Sequence, residues 1–235
     1  DRRRSDVSAA MHNTITVNNG NIQNQTAGND GVEKEQEIND LYNHTTYTTA
    51  YVDYASNTER TVLFLKNQKF FIVTDYIQVK DKTKDNKVAQ AWHMSPEAYI
   101  SLSENNEFVS NFESGANIIV SPVDSASMSD IYFTDVEQGV AAGVYVVTPK
   151  GVYERTTRDT AKYGTILYPL NIGEKRSIVT EEIDVGIENN GASAFYLTIN
   201  TPGKDDAQNY YYYHLSDLSQ KKEIVLGDYT TDATS

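Results

Sequence analysis

Four histidines, His12, His44, His93 and His214, are the only imidazoles in 235 residues. They are scattered, and none pairs with another at a metal-ligand spacing. Cysteine is absent, which removes disulfides, thiolate nucleophiles and cysteine-ligated zinc. No stretch resembles a phosphate loop, a nucleophile elbow, a zincin helix or a calcium loop. Acidic neighbours such as Glu181 and Glu182 are too common in this chain to mark a glycosidase pair. Two places could hold a sugar. Trp92, the only tryptophan, stands beside His93 in "QAWHMSPE" and could form a wall for a ring. Strand alternation sends the two side chains to opposite faces, so one belongs to the core and the other to the surface. In "YYYY", Tyr210 to Tyr213, the same alternation leaves two tyrosines per face, and tyrosine is also a favoured strand residue that packs with its hydroxyl wet. On residue types alone each histidine reads as a surface or hydrogen-bonded structural group. No catalytic constellation is complete.

The elements that would position these residues are strands. "TVLFLKNQKFFIVTDYIQV", residues 61–79, places two β-branched, aromatic-rich runs around a polar "KNQK", a hairpin pattern. "AYISLSENNEFVSNF" repeats it around "ENN", and "ANIIVSPVD" is a further strand stopped by proline. "GVYVVTPKGVYERTT" is expected to turn at Pro149 to Gly151, and "IDVGIENNGASAFYLTIN" at "NNG". "NYYYYHLS" and "KEIVLGDY" close the series. Helical periodicity is nearly absent; its best candidate, "GVEKEQEINDLYNH", has three apolar positions and few caps. Many short strands without strand–helix alternation imply two antiparallel sheets packed face to face. The expectation is an all-β, antiparallel two-sheet β-sandwich with little helix, one domain over residues 1–235.

Composition narrows the function. Net charge is -13 and the pI about 4.7, a surface that repels the nucleic-acid backbone. Its basic exceptions are Arg2 to Arg4 and the aspartate-salted "KDKTKDNK", which reads as a solvated loop. No apolar run approaches the roughly 20 residues of a membrane span. The opening "DRRRSDVSAA" lacks the apolar centre of a signal peptide and an initiator methionine, so the chain reads as a piece of a longer protein.

Two segments, in order, resemble the β-sandwich domain of heparinase II/III-type polysaccharide lyases. "MHNTITVNNGNIQNQ" is similar to that family's histidine–asparagine–threonine strand and following turn. "ERTVLFLKNQKFFIVTDYI" is similar to its arginine-containing hairpin ending in an aspartate strand. "QAWHMSPE" and "YGTILYPL" are fainter echoes, and together the four span roughly Arg4 to Leu170. The resemblance implies a supersandwich-like fold and a parent protein whose N-terminal α/α toroid is absent from this chain. It implies β-elimination of a uronic-acid-containing polysaccharide: the carboxylate is neutralised, the C5 proton is abstracted, and the 4-linked group leaves. That proton is too weak an acid unless donors or cations mask the neighbouring carboxylate.

The same resemblance makes His12 a ligand of a divalent metal, zinc or calcium, in the full-length protein. The co-ligands would precede Asp1, so the site is incomplete here and no metal is expected in this chain alone. His12 and His93 are the candidate catalytic contributors, Arg4 and Trp92 the candidate substrate contacts. Asp75 is expected to hold strands by hydrogen bonding rather than to react. The implied partners are the missing toroid and an acidic polysaccharide, with a secreted, cell-surface or periplasmic location in a bacterium. The competing reading is a non-catalytic carbohydrate-binding, adhesive or structural sandwich module.

Overall fold

The computed structural model describes residues 13–20, 32–49, 54–113, 115–141, 144–183, 192–215, 224–226 and 229–231. The chain divides into two compact units, Asp1–Gly173 and Glu174–Ser235. In the first, the strands in chain order are β1 (Ile15–Val17), β2 (Val32–Ile38), β3 (Tyr42–Thr49), β4 (Ala55–Leu65), β5 (Phe70–Val79), β6 (Asn86–His93), β7 (Tyr99–Leu102), β8 (Phe108–Asn111), β9 (Asn117–Pro122), β10 (Asp130–Ala141), β11 (Val144–Thr157) and β12 (Thr160–Leu170). No α-helix occurs among the described residues; a single 3-10 turn spans Ser125–Ser127.

Two antiparallel sheets result, one of four strands in the order β1-β6-β11-β10 and one of eight in the order β2-β3-β4-β5-β12-β9-β8-β7. They form the sandwich that strand patterning implies. Alternate residues of β5, β6, β11 and β12 supply its filling, including Ile77, Val88, Trp92, Tyr153 and Tyr163. Hydrogen bonds also cross between the sheets. Tyr163 on β12 donates to the Val88 carbonyl of β6 at 2.6 Å, and Tyr153 on β11 donates to the Val120 carbonyl of β9 at 2.8 Å. Burying a phenol is tolerable because its one donor finds an acceptor.

Three local expectations meet the structure directly. The "KNQK" and "ENN" turns form, with Lys69 at φ 61° and Asn106 at φ 63°. The best helical candidate forms the β2–β3 hairpin instead, because Asn39 caps the turn: its carboxamide oxygen accepts the amides of Leu41 (2.8 Å) and Tyr42 (2.9 Å), the side-chain turn asparagine favours. The turn expected at Pro149 to Gly151 is not there, and β11 runs straight through it. Proline is tolerated because its carbonyl, bonded to the Met94 amide at 2.9 Å, faces the β6 side. The missing N–H faces the same way, just past the end of β6, so no ladder bond is lost. Gly151 serves packing rather than turning. A Cβ there would sit 2.4 Å from a carbon of the Phe108 ring.

The second unit contains β13 (Ser177–Glu182), β14 (Ala192–Asn200) and β15 (Gln208–Leu215) in one antiparallel sheet, and the short pair β16 (Ile224–Leu226) and β17 (Tyr229–Thr231). The "NNG" turn lies outside the described residues, but the β13 and β14 that it separates do pair. Of the four consecutive tyrosines, Tyr212 is buried against Phe195 (ring centroids 4.7 Å apart), while Tyr211 is exposed beside Tyr196.

Candidate functional site

The histidine–asparagine–threonine segment and the arginine hairpin, far apart in sequence, meet at one end of β6. Arg60 on β4 and Asp75 on β5 are directly opposite across the strands and form a two-pronged ion pair. Nε donates to one carboxylate oxygen at 2.7 Å and Nη2 to the other at 2.8 Å. The Asp75 side chain is 3% exposed and that of Arg60 28%. The third prong of the guanidinium, Nη1, donates to the Asn13 carbonyl at 2.5 Å. Burial pushes the Arg60 guanidinium down, but the charge and hydrogen bonds of Asp75 outweigh it and hold the group above its ordinary value.

From Asp75 the network passes to the other sheet. Gln90 of β6, fully buried, donates from Nε2 to Asp75 at 2.7 Å. Its Oε1 accepts from the indole of Trp92 (3.0 Å) and the hydroxyl of Thr165 (2.6 Å). The Arg60 guanidinium lies 5.6 Å from the centroid of the Trp92 ring, within cation–π range. Asn13 closes the circuit: its carboxamide oxygen accepts the His93 amide at 2.6 Å, and the neighbouring Thr14 carbonyl accepts the Ala91 amide at 2.9 Å. Every donor and acceptor named here is satisfied, which lets a polar chain sit inside an apolar core.

This arrangement locks backbone positions. The chain at Asn13 is held by Arg60 and by its own side chain, and the neighbouring Thr14 by the Ala91 amide of β6. His12 and Arg4 lie outside the described residues. Trp92 is 5% exposed, facing the core as a stacking partner for Arg60. His93, one residue on, is half-buried on the opposite face, directly across from Lys150 of β11. Asp75 accepts three hydrogen bonds, all of them tying strands together. His44 is half-buried in β3, opposite Glu37, and His214 lies in β15 of the second unit. Sequence reasoning named the two motifs that contain Asn13 and Arg60 without giving either residue a contact, and it overlooked Gln90. The available signal for Gln90 was a glutamine at an inward position of an otherwise apolar strand, between Ala89 and Ala91.

The chemistry of this site is positional. A carboxylate already holding a guanidinium and an amide is poorly placed to act as a base, and nothing here is a nucleophile. What it supplies is a rigid mount beneath the half-buried His93 and the segment that begins at Asn13.

The chain is similar to known proteins in two respects. A family model described as "Heparinase II/III-like, C-terminal" matches residues 1–179. Among solved structures, the heparan sulfate lyase HepC from Pedobacter heparinus superposes with TM-score 0.69 at 17% identity, over 87% of this chain and 30% of that one. Heparinase III superposes with TM-score 0.69 at 18% identity, over 91% of this chain and 31% of that one. The chain therefore spans less than a third of the length of either structure. No curated protein sequence matches it. The match over three quarters of the chain, the two converging motifs and the sandwich fold place this chain in the heparinase II/III-like C-terminal domain family.

Proposed function

We propose that this chain is the supporting sandwich of a polysaccharide lyase that cleaves uronic-acid-containing polysaccharide by β-elimination, acting outside the bacterial cytoplasm. The observation that carries the reading is the Asn13–Arg60–Asp75 junction, where the two motifs of the family resemblance are bonded to each other. In this reading the acid and base that move the C5 proton come from a helical toroid preceding residue 1, and the sandwich lends groups along the β6 end. The fold's likeness to two lyase structures of which it spans less than a third supports that division of labour. A single imidazole at position 12 offers neither the charge nor the geometry of a metal centre. A divalent ion would need further ligands from upstream, and no step is assigned to it.

The test is to express the 235 residues alone and together with their native upstream sequence. Both forms are incubated with heparan sulfate, hyaluronan and alginate, and the ultraviolet absorbance of unsaturated uronate is followed. Product from the long form only is the expected result. Product from neither form on any polymer overturns the lyase reading in favour of a carbohydrate-binding or structural module. Product from the 235 residues alone overturns the claim that the site is incomplete here.

A further inference from the structure

The chain leaves β1 through "VNNG", Val17 to Gly20, a turn made of two consecutive asparagines. Both are left-handed, Asn18 at φ 50° and Asn19 at φ 56°. A type I′ turn requires that conformation, and asparagine adopts it more readily than most side chains. The Gly20 amide donates to the Val17 carbonyl at 2.8 Å and closes the turn.

The two asparagines are held very differently. The Asn18 amide donates to the Lys87 carbonyl at 2.7 Å. Its Nδ2 donates to Oδ1 of Asn86 at 2.9 Å, and its Oδ1 accepts the Lys87 amide at 3.0 Å. Asn86 is fully buried and donates in turn to the carbonyls of Asp81 and Lys84, at 2.7 and 2.9 Å. Asn18 therefore fastens the end of β1 to the start of β6, past the last ladder pair of Val17 and Val88. The Asn19 carboxamide is exposed and makes no hydrogen bond among the described residues. The residue after it is glycine, so no side chain shields the next backbone nitrogen.

We propose that Asn19 is a site of spontaneous covalent modification, deamidation through a cyclic imide, with water as the only co-reactant. The proposal does not rest on the lyase reading. The Gly20 nitrogen attacks Cγ of Asn19: the N–Cγ bond forms, the Cγ–Nδ2 bond breaks, and the proton of the nitrogen leaves with ammonia. Water then opens the ring. Cleavage at Cγ gives an aspartate in ordinary linkage; cleavage at the backbone carbonyl gives an isoaspartate, whose main chain runs through Cβ and Cγ. Nothing is oxidised or reduced, and either product adds one negative charge to a chain of net charge -13. The isoaspartate also lengthens the main chain by one carbon inside a turn closed by a single hydrogen bond. The Gly20–Val17 bond is lost, and Asn18 no longer sits over Asn86 and Lys87. The modification thus loosens the end of β1 remote from the Asn13 junction. Because the attacking nitrogen is the one bonded to Val17, the turn has to open first, and the rate reports that local opening.

The experiment ages the 235-residue chain in mildly alkaline buffer, folded and unfolded in guanidinium chloride. Peptide mapping by mass spectrometry follows each asparagine, since the mass rises by the difference between water and ammonia; electron-transfer fragmentation separates isoaspartate from aspartate. Asn19 is expected to convert, mostly to isoaspartate, and Asn18 is not. The closed turn is expected to slow conversion about three- to tenfold below the unfolded chain, the scale of one backbone hydrogen bond. Gly20→Ala should slow it severalfold in the unfolded chain, where the turn plays no part. In the isoaspartate form, isolated by its charge, the amides of Asn18 and Lys87 should exchange hydrogen faster. The Ala91 amide, bonded to the Thr14 carbonyl at the other end of β1, should stay protected. Asn19→Asp adds the charge without the extra carbon and should leave all three amides protected. No conversion in the folded chain while the unfolded chain converts overturns the site, as does Asn18 converting as fast as Asn19. Conversion with unchanged exchange at Asn18 and Lys87 overturns the effect on β1. Equally fast exchange in Asn19→Asp assigns that effect to charge and overturns the lengthened main chain as its cause.

Discussion

Replacing Asp75 with asparagine strikes the junction where both motifs meet, and its cost can be worked from the hydrogen-bond geometry. Gln90 cannot adapt. Its Oε1 is held by the donors of Trp92 and Thr165, so its Nε2 must face position 75. The other donors aimed there are Nε and Nη2 of Arg60. Asparagine has one acceptor oxygen and one amide, so in either orientation its amide meets a donor of Arg60, which keeps its full charge. Breaking one side of a buried pair costs about 3–5 kcal/mol. Because 28% of the Arg60 side chain reaches water, the lower figure applies, about 3 kcal/mol, or about 6–12 °C in Tm for a domain of this size. Urea unfolding followed by Trp92 fluorescence is the assay, since this sole tryptophan sits in the network and reports the first unit alone. Arg60→Met, and then both changes together, complete a cycle in which the double variant should lose about 1–3 kcal/mol less than the two singles combined. A loss under about 1 kcal/mol for Asp75→Asn, or strict additivity, refutes the reasoning.

Further outcomes follow from the same contacts. Gly151→Ala is expected to destabilise by about 1–3 kcal/mol through overpacking, with Phe108→Leu recovering part of it; an unchanged thermal midpoint would contradict the close approach of Phe108. Asn13→Ala should cost about 1 kcal/mol and raise the exchange rate of the His93 amide, measured by hydrogen exchange. Burial raises the phenols of Tyr153 and Tyr163 above the ordinary range, so the folded state keeps protons that the unfolded state loses above about pH 10. Stability should hold through neutral pH and fall as pH rises past that point. Circular dichroism during an alkaline titration should show a shallower fall in Tyr153→Phe; an identical slope would mean that residue does not contribute.

Much of the fold was legible because its causes are local. Alternation over 61–79 and the polar residues at 66–69 are enough to make a hairpin, since the side-chain period and a residue able to adopt positive φ are properties of a few neighbours. The misreadings have non-local causes. Pro149 and Gly151 look like a turn in isolation. They are straight strand because β6 ends before it can ask for the proline amide, and because a phenylalanine 43 residues earlier needs the space above the glycine. Residues 32–44 lie in a hairpin because β4 offered β3 a partner along its whole length, which so short a window of sequence cannot contain.

The site divides along the same line. The sequence by itself determined that the chain is all strand, that it carries no thiol and no complete catalytic set, and that its "HNT" and "ERTV…TDY" segments resemble one family. These follow from residue type and spacing. That Asn13, Arg60, Asp75, Gln90 and Trp92 form one circuit was decided only when two sheets packed face to face. So was the placement of the half-buried His93 and Lys150 on the other face of β6 and β11. Each of those contacts joins residues from different strands, and their geometry exists only once the register of every intervening strand is set.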